Sequence, residues 1–172
     1  MNLFRLFVTG SLLLLSVQGF TQSFNVPANY ELKQPSDFVK YEKDIIEASV
    51  WLRETAFDEQ KAKRKEVSAF IFSWISGSPS VNVELNEVIL DFDKKNSGMM
   101  LLFMAGCARY VLENNYSKDI RAKQRAGLRD MVHVYKAGKG IKKDKKMDKL
   151  VKSDEEGTLD AWLDENLKIN PR

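Results

Sequence analysis

Residues 99–108 read MMLLFMAGCA, ten consecutive positions without a charge. Side chains on an α-helix step round the axis with a period of 3.6, so such a run is apolar on every face rather than along one stripe. A helix of that kind is central in a domain or embedded in a bilayer. A span needs ~20 apolar residues, and Arg109 follows after ten. The stretch therefore predicts the central helix of a helical domain, over roughly residues 98–116. Ala105, Gly106, Cys107 and Ala108 are small enough to admit a close neighbour. The methionines read as core packing rather than as ligands.

Working outward toward the C-terminus, Ile120, Gln124, Leu128, Met131, Val132 and Tyr135 recur at helical spacing, with Ser117 as the cap and Gly138 and Gly140 as the stop. A lysine-rich segment with a sparse stripe (Ile141, Met147, Leu150, Val151) follows, and Thr158 opens a last helix through Leu159, Trp162, Leu163 and Leu167. Toward the N-terminus, Asn96-Ser97-Gly98 is a break in which Ser97 can cap the central helix. Val88, Ile89 and Phe92 stripe a helix over 86–95. Residues 81–85 (VNVEL) alternate as a strand does, but no second strand is present to pair with them, so an extended connection is expected.

Val67, Phe70, Ile71, Trp74 and Ile75 mark a helix from about residue 58, stopped by SGSPS at 76–80. Phe38, Tyr41, Ile45, Ala48, Leu52 and Ala56 mark another, with Ser36 as N-cap and Asp37 in the first turn, where the helix dipole favours an anion. The expectation is an all-α, compact single-domain bundle of six to seven helices over residues 36–168, preceded by an extended lead-in at 20–35 and followed by a short tail at 169–172. Trp51, Phe70, Trp74, Phe92, Phe103 and Tyr135 are the expected large core side chains, each worth ~1.5–3 kcal/mol when fully buried.

Composition agrees with this reading. The chain has 172 residues, 44% hydrophobic and 30% charged, with 4 Pro and 9 Gly. That is one domain's length, too apolar for a disordered chain and too poor in Pro and Gly for a fibrous one. One cysteine, Cys107, excludes an internal disulfide and multi-cysteine metal sites, and one histidine, His133, excludes two-histidine metal motifs. Arg5, the uncharged run at 6–17 and Val17-Gln18-Gly19 form the three parts of a secretory signal peptide over residues 1–19, with cleavage as late as residue 23. The expected location is the periplasm or the cell exterior, with no transmembrane helix in the mature chain.

The chain carries few signatures of chemistry. His133 falls at the edge of its helix's apolar face, a solvated position. Cys107 lies in an apolar context that leaves a thiol inert. Asp91-Phe92-Asp93 with Asn96 fails the calcium-loop spacing, since Lys95 and Leu102 occupy positions that need oxygen ligands. Gly138-Lys139-Gly140 lacks the rest of a phosphate loop. Asn115-Tyr116-Ser117 is a lone glycosylation sequon. No catalytic, cofactor-binding or metal-ligating residue is assigned, and no cofactor is expected.

Charge is the feature above background. Residues 118–152 carry a net +9, and residues 153–166 carry −6. Either the acidic tail folds onto the basic helices, or Lys136, Lys139, Lys142, Lys143, Lys145, Lys146, Lys149 and Lys152 form a surface for an anionic partner. Nucleic acid is disfavoured, because no aromatics interleave the lysines and no recognition motif appears.

LLFMAGCARYVL at 101–112, MVHVYK at 131–136 and the lysine-rich segment ending at Gly157 resemble small exported all-helical proteins of Bacteroidetes-type bacteria, a group without an assigned activity. The resemblance spans roughly residues 36–168. It implies an all-α fold and export, and it carries no functional residue across. The leading expectation is a non-enzymatic exported domain that binds a protein or an anionic envelope component. The alternatives are a periplasmic hydrolase with a carboxylate or Lys-based site, for which Asp91 and Asp93 are the residues to test, and an immunity or inhibitor-type protein.

Overall fold

The architecture follows from how each helix starts, stops and buries its face. In the computed structural model, residues 23–167 are described. They form eight helices: α1 (Pro35–Lys40), α2 (Glu42–Glu54), α3 (Lys61–Gly77), α4 (Glu87–Asp93), α5 (Met99–Glu113), α6 (Ile120–Ala137), α7 (Lys145–Glu155) and α8 (Leu159–Leu167). No strand occurs among the described residues, and residues 81–85 are an extended connection that buries Val81. The signal peptide expected at 1–19 and the tail at 169–172 lie outside the described residues.

α5 is the central helix, packed against α2, α3, α4 and α6. Met99, Leu102, Phe103, Cys107 and Ala108 are fully buried. Its closest partner is α6, and the small residues permit the approach. A Cβ on Gly106 would lie 2.8 Å from Asp130 Oδ2 and 2.9 Å from Gly127 Cα. One on Gly127 would lie 2.6 Å from the Phe103 carbonyl oxygen and 2.8 Å from Cys107 Sγ. The α5–α6 crossing is thus a glycine-on-glycine contact.

The extended lead-in is part of the core. Phe24 stacks on Phe70 at 6.3 Å between centroids, and Tyr30 meets the same ring edge-on at 4.8 Å. Such pairs add about 0.5–1.5 kcal/mol beyond the area they bury.

The single helix expected from Phe38 to Ala56 is two, which raises the count to eight. The Phe38 carbonyl accepts from Trp74 Nε1 at 2.9 Å and from Tyr41 N at 3.2 Å. That oxygen is drawn into a tight turn and onto α3, so the helix breaks at Tyr41 and resumes with Ile45 N donating to Tyr41 O at 2.9 Å.

Three caps differ from expectation. Gln34, not Ser36, is the N-cap of α1, and the Asp37 carboxylate accepts the Lys33 and Gln34 amides, both at 2.9 Å. Gly98, not Ser97, is the N-cap of α5, and Asp93 Oδ1 accepts from Gly98 N at 2.7 Å and Met100 N at 3.1 Å. Asp119, not Ser117, caps α6 through Ala122 N. In each case an acid outcompetes a hydroxyl, as expected for a charge-assisted bond to the positive end of a helix. Tyr135 is half-buried rather than a core residue, while the other five expected core aromatics are buried.

Candidate functional site

The lysine-rich segment is held by contacts that leave its lysine side chains outside. Gly138 ends α6 in the left-handed region. Tyr135 Oη accepts from Asp144 N at 2.8 Å and donates to Asp148 Oδ1 at 2.7 Å. Asp144 caps α7 through Lys146 N. Asn96 clasps the Lys142 backbone from both sides, donating to its carbonyl at 2.9 Å and accepting its amide at 2.7 Å. The preceding turn touches the α2–α3 loop: Phe57 N donates to Lys139 O at 3.3 Å, and a Cβ on Gly140 would lie 2.6 Å from Asp58 N.

The acidic tail meets the basic helix, but only in part. Arg121 pairs with Asp164, Arg125 with Asp160 at 2.8 Å, Arg129 with Asp154 at 3.3 Å and Lys136 with Glu155 at 2.6 Å. Arg121, Arg125 and Arg129 step along α6 while their partners run back from α8 to α7, and Lys136 meets Glu155 beside Asp154. Hydrogen bonding from Arg121 lowers the Asp164 carboxyl below its usual range, and Glu155 raises the Lys136 ammonium.

Of the eight lysines expected to form a surface, Lys136, Lys146 and Lys152 have carboxylate partners: Glu155, Asp91 and Glu156. Lys139, Lys142, Lys143, Lys145 and Lys149 are exposed and have none among the described residues.

The carboxylates weighed for catalysis have structural contacts. Asp93 caps α5, as described above. Asp91 bonds Lys146 and Lys94, and those ammonium groups, Lys146 foremost, hold its carboxyl down to about 2. His133 is exposed, with Nε2 at 3.3 Å from Glu54 Oε2. Burial pushes the Cys107 thiol up, away from the reactive thiolate.

Two arrangements escape a reading of the sequence. The first is a polar cavity of about 990 Å³ between the 76–84 connection and the start of α6, with Ser78, Asn82, Glu84, Asp119 and Arg121 among its walls. Lys123 is buried beside it and donates to Glu84 Oε2 and to the Asn82 carbonyl, both at 2.7 Å. Burial works to raise the Glu84 carboxyl, and the Lys123 bond outweighs it, leaving it lowered. The only sequence signal was a lysine between Ala122 and Gln124 on the helix's inner arc.

The second is a groove of about 560 Å³ between α3 and α5, with Leu52, Phe57, Phe72, Met100 and Leu101 along its apolar walls and Lys61, Arg64 and Lys65 beside them. Met100 and Leu101 belong to the run expected to be buried all round, yet they are only half-buried.

No helix among the described residues is long and apolar enough to cross a membrane. No group of three or more His, Cys, Asp or Glu side chains placed to hold a metal ion occurs among them. No protein-family model, curated protein or solved structure matches the chain.

Proposed function

We propose that this is an exported, non-enzymatic helical domain that binds an anionic component of the cell envelope through Lys139, Lys142, Lys143, Lys145 and Lys149. One observation carries the reading. The acidic C-terminal residues neutralise α6, while these five exposed lysines keep their charge unpaired among the described residues. Uncompensated like charge on one segment favours encounter with an anionic surface and costs some self-repulsion when no partner is present. Export enters from the signal-peptide pattern at 1–19, and the resemblance to exported helical proteins of Bacteroidetes-type bacteria supports the same compartment.

The test is co-sedimentation with vesicles containing phosphatidylglycerol against pure phosphatidylcholine. The protein is retained by the anionic vesicles and released as the Debye length falls from ~10 Å at 0.1 M salt to ~3 Å at 1 M. Replacing the five lysines by Gln abolishes retention. Equal retention on both vesicle types rejects the proposal, as does capture of one tight stoichiometric envelope protein in its place, which would favour the immunity or inhibitor reading.

The Lys123–Glu84 pair beside the polar cavity favours a second reading, a periplasmic hydrolase with a Lys-based site. Turnover of a generic ester, amide or glycoside substrate that Lys123→Met abolishes, with the helical circular dichroism signal unchanged, would establish it.

A further inference from the structure

We propose that the groove between α3 and α5 binds a long-chain fatty acid, with the acyl chain along Phe57, Phe72, Met100 and Leu101 and the carboxylate at Arg64, Lys61 and Lys65. The inference stands on the groove and not on Lys139, Lys142, Lys143, Lys145 and Lys149.

Phe72 is 49% exposed on α3, and Met100 and Leu101 of the otherwise buried α5 are half-covered beside it. An apolar concavity of about 560 Å³ falls within the ~300–1,000 Å³ of small-ligand sites. A helix is ~10–12 Å across with its side chains, so two turns displace roughly twice that volume and would rest on the rim. A single extended chain enters whole.

The polar half is charge complementarity. The groove lining holds three cations and one carboxylate, Asp93, whose Oδ1 is already committed to the Gly98 and Met100 amides. Lys61, Arg64 and Lys65 have no carboxylate partner among the described residues. Arg64 is half-buried. Its Nη2 donates to the carbonyls of Leu52, at 3.1 Å, and Thr55, and its guanidinium lies 4.7 Å from the Phe57 ring centroid. Its Nε is buried without a hydrogen-bond partner. Carbonyls and an aromatic face orient the guanidinium without neutralising it, and burial lowers its pKa accordingly. A guanidinium fixed in this way at the edge of an apolar groove matches a planar carboxylate attached to a hydrocarbon chain.

Titration calorimetry of the purified protein with dodecanoate, tetradecanoate and hexadecanoate below their micelle concentrations tests this. One-to-one binding is expected, tightening by up to about fourfold for each methylene buried. Hexadecanol should bind at least tenfold more weakly than hexadecanoate. Phe72→Ser sits at an exposed position and leaves the fold intact; it should weaken binding about tenfold. Lys61→Gln/Lys65→Gln should reduce the preference for the acid over the alcohol, and Arg64→Gln added to it should erase what remains. Arg64→Gln alone should also reduce it, with circular dichroism reporting whether the carbonyl contacts it loses matter to the fold. No binding of any acid overturns the proposal, as does indifference to the headgroup. So does a concentration-dependent dimer that Phe72→Ser abolishes while fatty acid has no effect, which would assign the groove to a second copy of the chain. Gln replacement of Lys139, Lys142, Lys143, Lys145 and Lys149 leaves fatty-acid affinity unchanged, so failure here and failure of vesicle binding are separable.

Discussion

Asp130 shows how much one side chain carries. It lies on α6 at the glycine crossing, 3% exposed, and accepts from Arg109 Nη2 at 3.0 and 3.2 Å. Arg53 Nη1 adds a longer contact at 3.5 Å, so the carboxylate joins α2, α5 and α6. Removing one member of a buried ion pair leaves an uncompensated charge and costs about 3–5 kcal/mol. Asp130→Ala should lower the unfolding free energy by about that amount, read as a lower urea midpoint with the m-value retained. Lys152→Ala, which breaks an exposed pair with Glu156 at 3.7 Å, should leave the midpoint in place. Equal effects from the two would show that Asp130 is solvated. Nothing about Asp130 in the sequence distinguishes it from the charges beside it, because its partners are 21 and 77 residues away.

Among elements, α4 and α7 are joined by Asp91 and Lys146, 55 residues apart. Lys146 and Lys94 hold the Asp91 carboxyl at about 2, below the ordinary ~3.9. A carboxyl whose pKa is depressed by folding adds stability above its unfolded value and loses it as pH falls through the folded one. The midpoint difference between the protein and Asp91→Asn should therefore be constant above about pH 4.5 and close between about pH 4 and pH 2. A difference that persists undiminished at pH 2 would show that the charge is not the cause. The elements themselves were legible where the apolar pattern was clear, as a stripe at helical spacing in α3 and α6 and as an uncharged run in α5. Their ends were less so, because Asp93 and Asp119 displaced the hydroxyls of Ser97 and Ser117 as caps, and the Trp74 bond to Phe38 split the first helix in two.

For the whole molecule, the charge pattern decides between a closed surface and an open one. The ion pairs from Arg121 to Lys136 mask α6. Replacing Asp154, Asp160 and Asp164 together by Asn should release Arg129, Arg125 and Arg121 and raise retention on anionic vesicles severalfold at low salt. Unchanged retention would mean that these pairs hide nothing the partner reads. The sequence by itself determined the all-α class, the central helix and the small residues on it that admit a close neighbour, since these depend on apolar pattern and residue size, which are local properties. It also showed that the C-terminal third is divided into basic and acidic parts. Only the tertiary structure decided which lysines are neutralised, that Asp91 and Asp93 serve as tether and cap, and that Met100 and Leu101 line a groove with Arg64. Those outcomes depend on distances between groups far apart in the chain, and such distances exist only after the helices have packed.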